Sequence, residues 1–117
     1  MDERFFLYYE DADWSIRAKN YGGLGYARDS IVPHQGGTTI GSARDRAKRS
    51  WLAVYLESRN RILFVRLHLW RYLPLTFIRG FLSALEYLFV GSPRNFKAAL
   101  DGLIAALKGE TGRPSDF

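Results

Sequence analysis

Cysteine is absent from the 117 residues. Its absence excludes disulfides, thiolate nucleophiles and cysteine-bound metal. Together with the lack of a signal-like leader, it makes a reducing, cytoplasmic setting the expectation. Proline is scarce, at four residues, and Pro33, Pro74 and Pro93 each fall where the residue pattern changes. A charge-free run of about 20 apolar residues, the usual length of a membrane span, is also missing. The densest apolar stretch, residues 62–90, is interrupted by Arg66, His68, Arg71, Pro74 and Arg79. The glycine-rich stretch 36–41 contains no lysine in P-loop context, so it is not a Walker motif. A chain of this length builds one small domain with a modest core.

What is present is unevenly distributed. The formal charge is +5, yet Asp2, Glu3, Glu10, Asp11 and Asp13 make the beginning acidic. The middle is basic: Arg46, Lys48, Arg49, Arg59, Arg61, Arg66 and Arg71 face only Asp45 and Glu57. Such a block suits anionic lipid, a phosphate-bearing ligand or nucleic acid, and charge alone does not choose among them. No ribonucleoprotein signature or zinc finger accompanies it, so nucleic acid is not the expected partner.

Residues 5–9 are all apolar or aromatic, too short for an independent helix and rich in strand formers; they read as a buried strand or an extended entry. The segment from Glu10 to Tyr21 reads as a helix with carboxylates in its first turn, Asp13 and Arg17 paired four apart, and Gly22 at its stop. Residues 24–28 and 30–32 read as two short extended pieces closing on Pro33-His34, and residues 36–41 as a loop. A long helix is expected from about Ser42, capped by that serine, with Trp51, Val54, Tyr55, Ser58 and Ile62 on one face. Pro74 should break it and start another, in which Thr76, Arg79, Ser83 and Glu86 form a narrow polar stripe on an otherwise apolar helix. Ser92-Pro93 opens a last helix with Phe96, Leu100, Leu103, Ile104 and Leu107 on its apolar face, and Gly109 ends it. Residues 110–117 read as a flexible tail.

The aromatic run Phe5-Phe6-Leu7-Tyr8-Tyr9 empties into Glu10-Asp11-Ala12-Asp13-Trp14, with Arg17 following. Acidic residues at a helix start also serve as plain capping groups. The whole pattern, however, is similar to the glutamate-aspartate motif of family 2 glycosyltransferases of the GT-A fold, and Asp2-Glu3-Arg4 resembles the lead-in to that motif. The resemblance implies an inverting transfer from a nucleotide-sugar donor to a glycan or lipid-linked acceptor. It makes Asp11 the base, with Glu10 beside it, Trp14 shaping the acceptor pocket, and Asp13 with Arg17 orienting the helix. His34 stands where many members carry a histidine that helps bind a divalent metal, Mg or Mn, or the donor diphosphate; a lone histidine is equally well structural. The loop after His34 resembles the family's mobile segment over the site, and Ser58-Arg59-Asn60-Arg61-Ile62-Leu63-Phe64 is similar to the segment that follows it. There Arg59 and Arg61 would face donor phosphates or membrane, unless they simply form a solvated helix face.

The resemblance implies an α/β parent fold, GT-A and Rossmann-like, of which this chain is the carboxy-terminal piece. The piece itself should be mostly helical, with two or three short strands and amphipathic carboxy-terminal helices. Residues 1–41 would close the catalytic domain, 42–109 form a helical extension and 110–117 the tail. Alone it is expected to be inactive, since the nucleotide- and metal-binding half belongs upstream. The apolar, basic helices are expected to meet the inner membrane surface peripherally, the absent half, or another copy in a homo-oligomer. The competing expectation is a non-catalytic basic helical module that binds a membrane surface or a partner protein.

Overall fold

The computed structural model describes residues 2–23, 25–31, 33 and 45–114. Four helices carry the fold: α1 (Glu10–Ala18), α2 (Trp51–His68), α3 (Leu73–Phe89) and α4 (Pro93–Lys108). Short 3-10 turns at Arg46–Lys48 and Trp70–Tyr72 precede α2 and α3. The mostly helical expectation holds. The two or three short strands do not appear among the described residues.

The reason is clearest at residues 5–9. Backbone carbonyls in a strand need a neighbouring strand, but here the Asn60 amide on α2 donates to Leu7 O at 2.5 Å and to Tyr8 O at 3.3 Å. Phe5 is buried, and Leu7 and Tyr8 pack against the main core cluster. The aromatic run therefore wraps α2 and pairs with no sheet. It then turns through Tyr8 and Tyr9, both left-handed at φ 66° and 68°, a conformation costing bulky residues roughly 1–3 kcal/mol each. That turn delivers Glu10 and Asp11 to the first turn of α1. Residues 25–31 are exposed and carry, among the described residues, the turn bond from Ser30 N to Ala27 O; Leu24 and Val32 lie outside the described residues.

α2 starts nine residues later than expected, because Ser50 Oγ accepts from Ala53 N at 3.2 Å and caps it there. Ser42 lies outside the described residues. α2 is central, buried on more than the one face expected: Val54, Leu56, Arg59, Asn60 and Ile62 are all 1% exposed or less. One side takes the amino-terminal segment, and the other takes α3 and α4.

Pro74 occupies the first turn of α3, where its missing N–H costs nothing. Ser92 and Gly109 bound α4 as expected, Gly109 in the left-handed conformation at φ 79°. The packed face of α4 is wider than the expected one and rotated from it: Leu103 is buried and Phe96 and Leu100 pack against the core as expected, and small residues join them. Ala98, Ala99, Gly102, Ala105 and Ala106 are buried, whereas Ile104 and Leu107 are 48% and 67% exposed. Small side chains let two helix axes approach closely, so they take the crossing with α2 and displace the larger residues towards α3 and solvent. Residues 110–112, just after α4, are hydrogen-bonded to the rest of the fold. Glu110 accepts from Tyr55 Oη at 3.0 Å, Gly112 O accepts from Arg59 Nη2 at 2.7 Å, and Gly112 N donates to Arg4 O. This ties residues 110–112 to both α2 and the amino-terminal segment.

Candidate functional site

α1 is a nine-residue helix, too short to be stable alone. Its anchor is Asp13, the one α1 residue that is buried, at 1% exposure. Arg17, one turn on, donates from Nε at 2.9 Å and approaches the same oxygen with Nη2 at 2.8 Å. His68, the last residue of α2, donates from Nε2 to the other oxygen at 2.8 Å, since an ionised carboxylate only accepts. The His68 ring in turn rests on Phe64, with centroids 5.1 Å apart. Burial pushes the Asp13 carboxyl up, but the hydrogen bonds from His68 and Arg17, with the Arg17 charge, outweigh it and hold the group below the ordinary 3.8.

A depressed carboxyl contributes stability that is present above its unfolded value and lost as pH falls through the lower folded value. The melting temperature of the chain should therefore drop more steeply below about pH 4 than that of Asp13→Asn. Asp2, held to about 2 chiefly by its hydrogen bond to Arg4, titrates in both proteins and cancels from the comparison. Parallel acid profiles would show that Asp13 does not anchor α1.

Asp11 lies two residues before this anchor and is exposed. It faces an open groove of about 330 Å³ lined by Tyr8, Tyr9, Asp11, Ala12, Arg49 and Glu57. The far wall is an ion-pair relay: Glu57 holds Arg49 at 2.5 Å and Arg61 at 3.0 Å, and Arg61 Nε donates to Tyr9 Oη at 3.2 Å. Burial acts to lower the Arg49 and Arg61 guanidinium pKa values; Glu57 for the first, and Tyr9 with Glu57 for the second, more than reverse this. Both stay charged. Tyr8 Oη, Glu10 Oε2 and Arg49 Nε are buried without a hydrogen-bond partner among the described residues. Buried polar groups are normally paired, so two groove-lining residues, Tyr8 and Arg49, carry unused hydrogen-bonding capacity beside Asp11.

The remaining expected residues divide in two. Trp14 is 53% exposed and, with Arg17, Ala18, Tyr21 and Gly22, lines a second open groove of about 410 Å³ along the outer side of α1. Glu10, Asp11, Trp14 and Arg17 thus share one helix, and Arg61 joins them through Tyr9. Arg59 does not. It is 1% exposed, its Nε donates to Asn60 Oδ1 at 3.0 Å, and its Nη2 is committed to Gly112 O. His34 and the glycine-rich loop lie outside the described residues. Among the described residues no group of three or more His, Asp or Glu side chains is placed to hold a metal ion.

Arg49, Glu57 and His68 enter the site without having been singled out as site residues. Glu57 and Arg61 stand four apart on a helix, a spacing that reveals their pairing. His68 meets Asp13 across 55 positions, a contact that no local pattern encodes. Comparison with protein-family models, curated proteins and solved structures gives no match.

Proposed function

We propose that the chain is the carboxy-terminal part of an inverting family 2 glycosyltransferase, in which Asp11 is the base that activates the acceptor. The parent fold of this reading is the α/β GT-A fold, and its setting is cell-surface polysaccharide or glycolipid synthesis at the cytoplasmic side. The observation that carries it is the division of labour between two carboxylates two residues apart. Asp13 is buried and spent on His68 and Arg17, whereas Asp11 stands open in a groove whose walls offer aromatic rings and hydrogen-bond donors. An exposed, rigidly mounted carboxylate can take a proton from a hydroxyl brought to it.

In the reaction the acceptor O–H proton passes to Asp11 as the acceptor oxygen bonds to the anomeric carbon. The bond from that carbon to the nucleoside diphosphate breaks on the opposite side, and the diphosphate leaves with the electron pair. Tyr8, Tyr9 and Trp14 provide ring faces for sugar contacts. The Mg or Mn ion that the resemblance implies would be held by the nucleotide-binding half, where it would neutralise the leaving diphosphate; the described residues assemble no cage for it.

A single displacement inverts the anomeric centre. The segment, joined in frame to a GT-A nucleotide-binding half and supplied with nucleotide sugars, should release nucleoside diphosphate and give a product of inverted linkage by NMR. Retention of configuration, or no transfer by a folded fusion, would overturn the reading.

A further inference from the structure

Apolar surface that is covered in neither core cluster runs the length of α3. Leu75, Ile78, Phe81, Leu82 and Phe89 are between 48% and 89% exposed. At 100° per residue they fall on one side of the helix, opposite the buried Gly80, Ala84 and Tyr87. Ile104 and Leu107 of α4 extend this side, and between the two helices lies an open groove of about 430 Å³ lined only by apolar side chains. Seventeen residues of α3 make the strip roughly 25 Å long. Exposed apolar surface of this extent is uncommon on a chain with nothing to cover it.

The edges of the strip identify what covers it. Arg79 borders Leu75 on the polar side of α3, and Lys97 and Lys108 border Ile104 on α4; all three are exposed. At the start of the strip Trp70 is 69% exposed and Tyr72 59%, with the Arg71 guanidinium 5.9 Å from the Trp70 ring. Apolar centre, cationic borders and an aromatic-arginine end form the arrangement that suits a headgroup layer. Of the two acidic residues on these helices, Glu86 is paired with Arg46 at 2.5 Å, and Asp101 is half-buried one turn from Lys97. A protein interface, in contrast, carries about one hydrogen bond per 100–200 Å², and this groove presents no polar side chain to make one. Among the described residues no helix is long and apolar enough to cross a membrane, so contact would be in the plane of the surface.

We infer that the α3–α4 face is an in-plane docking surface for an anionic lipid bilayer, with Ile78, Phe81 and Leu82 entering the acyl boundary while Arg71, Arg79, Lys97 and Lys108 meet the headgroups. This stands apart from the transferase reading and is tested on the chain as it is. The full chain should co-sediment with phosphatidylcholine vesicles containing phosphatidylglycerol. It should sediment several-fold less with vesicles of phosphatidylcholine alone. The double substitution Ile78→Glu with Leu82→Glu alters only exposed positions and should lower binding more than about tenfold without changing the melting temperature or helical circular dichroism. Arg71→Glu with Arg79→Glu should bring binding to anionic vesicles down to the neutral-vesicle level. The inference is overturned if the folded chain does not sediment with anionic vesicles, or if the Ile78/Leu82 variant binds them as well as the parent. It is equally overturned if that variant dissociates a dimer while no vesicle binding exists in either protein, since the face would then join two copies.

Discussion

Asp11→Asn in the segment joined to a nucleotide-binding half is expected to lower kcat about 10²–10⁴-fold, the usual contribution of a positioned general base, with KM changed little. The substitution keeps size and shape and removes the ability to take a proton. Its stability cost should be small, because Asp11 is exposed. Asp13→Asn should also reduce turnover, but by another route. An amide cannot accept from both Arg17 and His68 as a carboxylate does, so α1 loosens and the melting temperature falls with the activity. The pair of variants therefore separates chemistry from positioning: one loses rate at constant stability, the other loses both. Transfer by Asp11→Asn within a few-fold of the parent would remove Asp11 from the base role whatever the remaining residues do.

How far this site was legible in the sequence follows from the range over which each interaction acts. Asp13 and Arg17 are one turn apart, and their pairing could be read from spacing. The start of α4 at Ser92, its stop at Gly109 and the new helix at Pro74 depend on local backbone chemistry and appear where expected, whereas the preceding helix ends earlier, at His68. The aromatic run 5–9 forms no strand, one of the two alternatives its sequence offers, because strand propensity reports a fit to half-buried surface, and the surface here is the side of α2, with Asn60 serving as the hydrogen-bond partner. Arg59, expected to face donor phosphates, membrane or solvent, is instead buried. Its burial depends on the segment at Gly112 folding back over 53 positions. His68 and Arg49 acquire roles by the same kind of long-range closure. On α4 the expected Phe96, Leu100 and Leu103 do pack in the core, whereas Ile104 and Leu107 stand exposed, because close approach to α2 gives the crossing to the smallest residues.

That close approach has its sharpest consequence at Gly102. Gly102→Ala should destabilise the chain by about 2–3 kcal/mol, in the upper range for an overpacked crossing, although alanine is the better helix former by about 1 kcal/mol. A Cβ built there would lie 2.4 Å from Tyr55 O, 3.0 Å from Ser58 Cβ and 3.2 Å from Arg59 N. These atoms belong to the backbone and Cβ positions of α2, so no rotamer change can clear the space, and α4 must move away as a unit. The movement would strain the docking of Ala98, Ala105 and Ala106 and disturb Arg59, whose Nη2 anchors Gly112. At roughly 4–8 °C per kcal/mol for a domain of this size, the melting temperature should fall by about 10–20 °C. Gly80→Ala is the internal control. Its Cβ would meet Leu103 Cδ2 at 3.0 Å, the end of a flexible side chain that can turn aside. The helix-propensity gain should then leave that variant within about 1 kcal/mol of the parent. Equal melting temperatures for the two variants would show that α2 and α4 do not cross backbone to backbone at Gly102.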